Sequence, residues 1–267
     1  MRWLMALLVL VSACPVGAVD CAACHPRQAD EFARSAMARA ASSPDFHASQ
    51  SEAGQSGACR SCHAPSGGNG LVCGDCHGAD GHGRATGSAA EICARCHDAP
   101  GENTVRSAAA ATDCRACHAA GHDFQGPSRP GFLDGVARLD LHLRREKENW
   151  TALLRISHRA GHALPGGTTG RSVWLEVVGR NERGLPVWRD LHRFGWVRDG
   201  EGHWKDLSLV RGKPAIIEFA IPDRSGALFV EARAVYRFRP GPFDEPDPRD
   251  VVLDSAARAL PKGRNER

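Results

Sequence analysis

The chain has 267 residues, 11 cysteines, 13 histidines and a formal net charge of +3. The charge is uneven: residues 19–130 contain 9 arginines, no lysine and 12 acidic residues, a balance of −3, whereas residues 131–267 contain 24 basic and 19 acidic residues, a balance of +5. Basic residues are scattered among acidic ones, which excludes a nucleic-acid partner. A docking surface and an intramolecular charge match both explain the asymmetry.

The N-terminus has the pattern of a secretory signal peptide. Arg2 precedes an apolar stretch, residues 3–13, that is too short to span a bilayer, and Val16-Gly17-Ala18 is typical of a cleavage site. Residues 1–18 are therefore a predicted signal peptide, and the mature protein is expected in the periplasm or at the extracytoplasmic surface. Cys14, after Val-Ser-Ala, also fits a lipoprotein signal, so a lipid anchor at Cys14 is the alternative.

Five copies of one motif follow, each with two cysteines separated by two residues and then a histidine. They use ten of the eleven cysteines. The motif residues are Cys21, Cys24 and His25; Cys59, Cys62 and His63; Cys73, Cys76 and His77; Cys93, Cys96 and His97; and Cys114, Cys117 and His118.

In such a motif the two thiols lie one helical turn apart, in position to add across the two vinyl groups of a haem. The adjacent histidine reaches the iron from the same side. Redox dithiols, zinc sites and disulfides are the alternatives. A dithiol does not need the histidine five times out of five, and zinc sites use other spacings. The sequence therefore predicts five covalently attached haem c groups, which are attached outside the cytoplasm.

Residues 19–130 have too few large apolar side chains for a core of their own. Only 9 of these 112 residues are large and apolar, so composition alone would indicate a poorly folded segment. We therefore expect the porphyrins to be the core of a multihaem domain of short helices and loops. Pro26 is expected in the first turn of a helix, Ser88 and Glu91 form a predicted capping box, and Gly-rich connectors at 66–70 and 81–83 form turns.

After a Gly/Pro linker, hydrophobic residues alternate in the pattern of strands. We expect an antiparallel, immunoglobulin-like β-sandwich over residues 131–240, which makes the fold class α+β with two domains. A Pro-rich tail, 241–267, contains a predicted short helix at Val251–Leu260. The predicted strands are 136–143, 153–157, 172–178, 187–188, 194–197, 215–221 and 228–238.

Four stretches carry a family resemblance: "CAACHPRQADEFARSAMARA", "LVCGDCHGADGHG", "DCRACHAAGHDFQG" and "RAGHALPGGTTGRSVWLEVVGRNERGLPVW". Together they resemble the cytochrome c-554 class of multihaem cytochromes over nearly the whole mature chain. The resemblance implies electron transfer through closely packed haems. Met37 stands where many relatives carry histidine. A His/Met haem of higher potential and simple packing are both open for this residue.

Sixth ligands to the irons come from the remaining histidines. By position and resemblance, His82, His122 and His162 rank first, and His47 or Met37, His142 and His158 compete for the other irons. The loop of His162, which resembles the family's G-H-x-x-P motif, is either a solvent loop or an arm that reaches a haem, stiffened by Pro165. His192 and His203 lie among strands, where packing or surface roles are expected.

Two functions fit this pattern. One is an electron-transfer protein whose partners are redox proteins such as a quinol oxidoreductase, other cytochromes c or a terminal reductase. The other is a multihaem oxidoreductase that acts on a small nitrogen or sulfur compound at an open haem, so the sequence leaves enzymatic activity undecided. Pentahaem nitrite reductases typically replace one motif histidine with lysine and place tyrosine near the open site. Here all five motifs end in histidine, and the only tyrosine is Tyr236, which favours the carrier.

Overall fold

The structure is a computed structural model. It describes residues 20–52, 54, 57–78, 88–98, 104, 108, 113–119, 121–146, 149–167 and 169–261. The predicted signal peptide with Cys14, the connector at 81–83 and the proposed ligand His82 lie outside these residues. In the described part of the chain, no helix is long and apolar enough to cross a membrane.

The first half of the described chain consists of short helices. They are α1 (Cys21–Cys24), α2 (Pro26–Ala33), α3 (Pro44–Glu52), α4 (Arg60–His63), α5 (Cys73–His77), α6 (Ala89–His97) and α7 (Arg115–His118). The helix-start predictions are confirmed. Pro26 occupies the first turn of α2, and the Ser88 hydroxyl accepts from the Glu91 N–H while the Glu91 carboxylate accepts from the Ser88 N–H. Turns with positive φ at Gly67 and Gly68 form part of the predicted connector at 66–70.

The second half contains two antiparallel sheets. The strands are β1 (Ala137–Glu146), β2 (Asn149–His158), β3 (Ser172–Arg180), β4 (Pro186–Arg198), β5 (Trp204–Asp206), β6 (Ala215–Pro222), β7 (Phe229–Arg237) and β8 (Val251–Ala259). The three-stranded sheet has the order β1-β2-β6, and the five-stranded sheet has the order β5-β4-β3-β7-β8. The mixed α+β class is confirmed.

The hydrophobic core is concentrated in the β-half. Among the described residues, twenty-two buried hydrophobic residues from both sheets and their flanking loops form one cluster, with Leu154, Val173 and Val230 fully buried. Among the described residues of 19–130, the buried hydrophobic residues are only Ala41, Phe46 and Ala64. This contrast follows the composition, because the first half has little apolar area to bury without additional groups.

The short helix predicted at Val251–Leu260 is wrong, because this segment is strand β8. It pairs antiparallel with β7, and its side chains alternate between the core and solvent: Leu253 is buried whereas Val252 is 51% exposed. Two β-branched residues at its start favour this pairing. The predicted C-terminal tail thus contributes an edge strand to the five-stranded sheet.

A second difference concerns the strands predicted at 187–188 and 194–197. They are parts of one strand, β4, which pairs continuously with β3 from Gly195 to Trp188. The polar residues between the two predicted segments do not end the strand, because most of β4 is only partly covered. Alternation is therefore a weak signal for this strand.

Charged contacts join the two halves. Both terminal nitrogens of Arg249 donate to the Asp45 carboxylate at 2.9 and 2.8 Å, and Arg198 donates to the backbone carbonyl of Glu52 at 2.9 Å. Asp45 and Glu52 both lie on α3, both arginines lie in the β-half, and the Glu52 carboxylate also interacts electrostatically with Arg198. These contacts support the interpretation of the charge asymmetry as an intramolecular match.

Candidate haem-binding site

Each of the five motifs folds as, or ends, a short helix. Helix α5 spans the whole third motif, Cys73–His77, and α6 ends with the histidine of the fourth motif. One helical turn brings residues three apart onto the same face. The two thiols of a motif therefore lie on one side of the helix, as attachment to one porphyrin requires.

Thiols of different motifs meet in space. The Cys73 thiol hydrogen-bonds to Cys21, and the Cys93 thiol hydrogen-bonds to Cys114. Cys96 hydrogen-bonds to Cys62 and also lies close enough to interact electrostatically with Cys76. The first motif thus lies beside the third, and the fourth contacts the second, third and fifth. The five motifs form one contiguous cluster.

Partial burial raises the pKa of the four thiols in the third and fourth motifs, which favours their protonated form. Burial, followed by the neighbouring thiol, raises the pKa of Cys93 to about 11 and that of Cys96 to about 12. Catalytic dithiols show the opposite shift, because a thiolate is the nucleophile. None of the ten motif cysteines forms a disulfide. The arrangement therefore does not resemble a thiol–disulfide redox site.

Two pairs of histidines have nearly parallel rings whose centres are separated by a distance that suits two ligands on one iron. The ring centres of His77 and His122 lie 6.1 Å apart, with 23° between the ring planes. His118 and His162 lie 6.2 Å apart, with 21° between the planes. A metal–imidazole bond is about 2 Å long, and the ring centre lies about 1 Å beyond the nitrogen. Two imidazoles on opposite sides of one metal therefore have ring centres about 6 Å apart. Both pairs combine a motif histidine with a histidine that the sequence ranked first.

Hydrogen bonds orient three of the histidines in the manner of metal ligands. His63 Nδ1 lies 3.1 Å from the Ala40 carbonyl, His118 Nδ1 lies 2.8 Å from the Gln125 carbonyl, and His162 Nδ1 lies 2.7 Å from the Ala163 carbonyl. A carbonyl only accepts, so Nδ1 carries the proton and Nε2 presents a lone pair. Metal-ligating histidines typically make this outer hydrogen bond. The residues present therefore fit a haem iron.

The loop that carries His162 is fixed to the β-half and also contacts the helical half. Leu164 and Leu209 exchange backbone hydrogen bonds of 3.0 and 2.8 Å, and Trp196 Nε1 donates to the Gly167 carbonyl. The Gly167 N–H donates to the Thr104 hydroxyl at 2.9 Å. The loop thus resembles the predicted arm rather than a free solvent loop.

Gly166 lies directly against the ring of His162. A Cβ on this glycine would approach His162 Cε1 to 2.7 Å, and its φ is +69°. The sequence of this loop alone does not predict this contact. No local signal identifies it, because ring and glycine meet only once the loop has closed.

The other proposed ligands lie in varied places. Met37 is half-buried, and its carbonyl accepts from the Leu71 N–H at 3.0 Å, beside the start of the third motif. His47 is exposed on α3, and its ring packs on Phe46 at 5.6 Å. Phe46 in turn lies 4.6 Å from the ring of His63. Both residues therefore lie near motifs. Among the described ring contacts, His47 packs on Phe46 and not on a motif histidine.

The remaining histidines belong to the β-half. His142 is exposed in β1, and His158 Nε2 lies 3.1 Å from the Leu209 carbonyl. Burial lowers the pKa of His158 and of His192. His203 is exposed beside Asp199. The Nε2 atom of His158 is thus engaged within the β-half, whereas His192 and His203 have the packing and surface positions expected.

Comparison with known proteins identifies the fold. No protein-family model matches the chain, and no curated protein matches it. Among solved structures, a penta-heme cytochrome c552 from Thermochromatium tepidum superposes with a TM-score of 0.64 at 17% identity, covering 90% of this chain and 97% of that chain. The chain has a multihaem cytochrome c-like fold. A putative beta-galactosidase from Bacteroides fragilis covers 48% of this chain at 12% identity with a TM-score of 0.24, which is too low to indicate a shared fold.

Proposed function

We propose that this protein conducts electrons through five covalently attached haem c groups. The observation that carries the proposal is the single contiguous cluster formed by the five motifs, in which cysteines of different motifs lie within hydrogen-bonding reach of one another. Attachment points in contact bring the attached groups close together, and short separations are what electron hopping requires. When bound, the haems supply the reversible iron oxidation and reduction.

Two ligand pairs support a carrier rather than a catalyst. His77 and His122 would hold the third iron, and His118 and His162 would hold the fifth. An iron with two histidine ligands has no open position for a substrate. The motif residues His25, His63 and His97 would hold the other three irons from one side. Their second ligands are proposed among His47, His82, His142, His158 and Met37.

The order of contacts indicates a path along the cluster. The first motif touches the third, the third lies beside the fourth, and the fourth touches the fifth, with the second motif beside the fourth. Cys24 and Cys117, in the first and last motifs of this series, are exposed. We infer that redox partners, such as a quinol oxidoreductase, another cytochrome c or a terminal reductase, exchange electrons at these ends.

Two finer assignments belong to this proposal. The strand order β1-β2-β6 facing β5-β4-β3-β7-β8 matches that of a variable-type immunoglobulin sandwich that lacks one strand of its smaller sheet. This order supports the immunoglobulin-like assignment. The penta-heme neighbour and the four stretches that resemble the cytochrome c-554 class support an extracytoplasmic multihaem carrier, because c-type haem is attached outside the cytoplasm.

Spin-state spectroscopy of the oxidised, haem-loaded protein tests the proposal. We expect low-spin irons throughout the wild type. His122→Ala and His162→Ala should each convert one iron in five to high spin, because each removes one axial ligand. His203→Ala is the matched control and should convert none, since His203 is exposed and distant in sequence from every motif.

The opposite results would contradict the proposal. A high-spin iron in the wild type, together with turnover that depends on nitrite, hydroxylamine or peroxide, would favour the enzyme. Unchanged low-spin spectra in both variants would remove His122 and His162 from the ligand set.

A further inference from the structure

The loop that carries His122 is held by a carboxylate from a distant part of the chain. The backbone N–H of His122 donates a hydrogen bond of 3.0 Å to Glu31 Oε2, across a separation of 91 residues. The Glu31 side chain is only 20% exposed, and its other oxygen lies 4.0 Å from Arg27 Nε. Hydrogen bonds to a carboxylate are stronger than those between neutral groups, particularly where water is largely excluded.

Two further contacts join the same helix to this loop. A Cβ on Gly121 would come within 2.5 Å of Glu31 Oε2, so the backbone approaches the carboxylate closely only because residue 121 is glycine. Phe32 packs edge-to-face on Phe124 at 6.4 Å, and Phe124 packs edge-to-face on His122 at 6.2 Å. Helix α2 therefore contacts the loop at Gly121 and His122 through Glu31 and again at Phe124 through Phe32.

We propose that Glu31 is a positioning residue for His122 and that its charge tunes the haem held by His77 and His122. This inference rests on the proposed function, because it takes His122 as an iron ligand. The carboxylate would act in two separable ways. One oxygen accepts the hydrogen bond from the His122 N–H and so fixes the position and orientation of the His122 loop. The negative charge favours the more positive, oxidised iron and so lowers its reduction potential.

Four variants of the full-length, haem-loaded protein separate these effects. Glu31→Ala removes both the acceptor and the charge, whereas Glu31→Gln keeps an acceptor oxygen but removes the charge. Asp30→Ala is the matched control, because Asp30 is the next residue on α2, is 69% exposed and pairs with Arg34. His122→Ala is the reference for complete loss of the ligand. The readouts are the high-spin fraction of the oxidised protein and the midpoint potential of each haem.

We expect Glu31→Ala to produce a high-spin fraction of up to one iron in five. Glu31→Gln should stay low-spin, with one midpoint potential raised, and Asp30→Ala should match the wild type in both readouts. The haem-to-protein ratio shows whether each variant acquires all five haems. If Glu31→Ala does not, the midpoint potentials of the isosteric Glu31→Gln variant test the proposal.

Two results overturn the inference while leaving the ligand proposal intact. In both, His122→Ala becomes partly high-spin. In the first, a fully loaded Glu31→Ala keeps five low-spin irons; in the second, Glu31→Gln leaves every midpoint at its wild-type value. If His122→Ala itself stays low-spin, the ligand proposal fails, and the role of Glu31 fails with it.

Discussion

At the scale of single residues, a buried aspartate is central to the contact between the two halves. Asp247 accepts from Arg249 Nε at 3.0 Å and lies 3.0 Å from Arg239 Nε, while its residue is only 5% exposed. Arg249 also binds Asp45 on α3. The hydrogen bonds from Arg249 hold the pKa of Asp247 at about 2. A buried carboxylate is tolerated here because two guanidinium groups compensate it.

The lowered pKa of Asp247 predicts a pH-dependent contribution to stability. Its folded pKa lies below the ordinary value of 3.8, so the stabilisation is present above pH 4 and is lost as the pH falls from about 4 to about 2. Asp247→Asn should lower the free energy of unfolding by on the order of 2 kcal/mol at neutral pH. The difference from wild type should shrink in acid. Urea unfolding followed by tryptophan fluorescence at several pH values measures this.

Glu182→Gln is the control for this measurement, because Glu182 is exposed in the turn after β3. It should leave the stability curve unchanged. A gap between Asp247→Asn and wild type that is constant from pH 7 to pH 2 would show that the carboxylate contributes no titrating interaction.

At the scale of elements, helix α6 is the one that meets most of the other motifs. Its two cysteines contact thiols of the second and fifth motifs, so its start and direction matter for the whole cluster. The capping box of Ser88 and Glu91 fixes that start. The cap also places Glu91 in the first turn, where the partial positive charge of the helix favours an acid.

Loss of this cap has a predictable cost. Ser88→Ala should destabilise the helical half by about 1 kcal/mol, because one backbone N–H loses its acceptor. Ser88→Asp keeps a capping oxygen and should stay close to wild type. Denaturant unfolding of the loaded protein, followed at the haem absorption, compares the two variants. Equal midpoints for Ser88→Ala and wild type would show that the cluster, not the cap, fixes the start of α6.

At the scale of the whole molecule, the two halves depend on different sources of stability. The described part of the β-half has a core of twenty-two buried residues, whereas the described part of 19–130 buries three hydrophobic residues. Burial of apolar area is the main favourable term in folding. We therefore expect the helical half to depend on its attached groups and the β-half to fold without them.

Protein produced without haem attachment tests this expectation. Circular dichroism should show β-structure that melts cooperatively, with little of the helix present in the loaded form. Hydrogen exchange should be fast in residues 20–119 and slow in β2, β3 and β7. Native-like helix content with a cooperative transition of the helical half would contradict the idea that the porphyrins form its core.

The local chemistry of the chain could be read from sequence. The capping box at Ser88 and most strands could be predicted because each signal lies within a few residues, and the five motifs carry their proposed chemistry in five consecutive positions. Strand β8 could not be predicted, because a Pro-rich loop separates Val251–Ala259 from its partner strand β7. The segment by itself is compatible with a helix. Its partner decides the outcome, as is common for strands.

The sequence by itself determined the motif histidines, their number and the short helices around them, since these depend on covalent spacing and local hydrogen bonds. It ranked His122 and His162 highly but assigned neither to an iron. Only the tertiary structure brought His122 opposite His77 and His162 opposite His118, and only it placed Glu31 under the His122 loop. Such contacts join residues far apart in the chain, and packing of the whole molecule must bring them together because no local pattern records them.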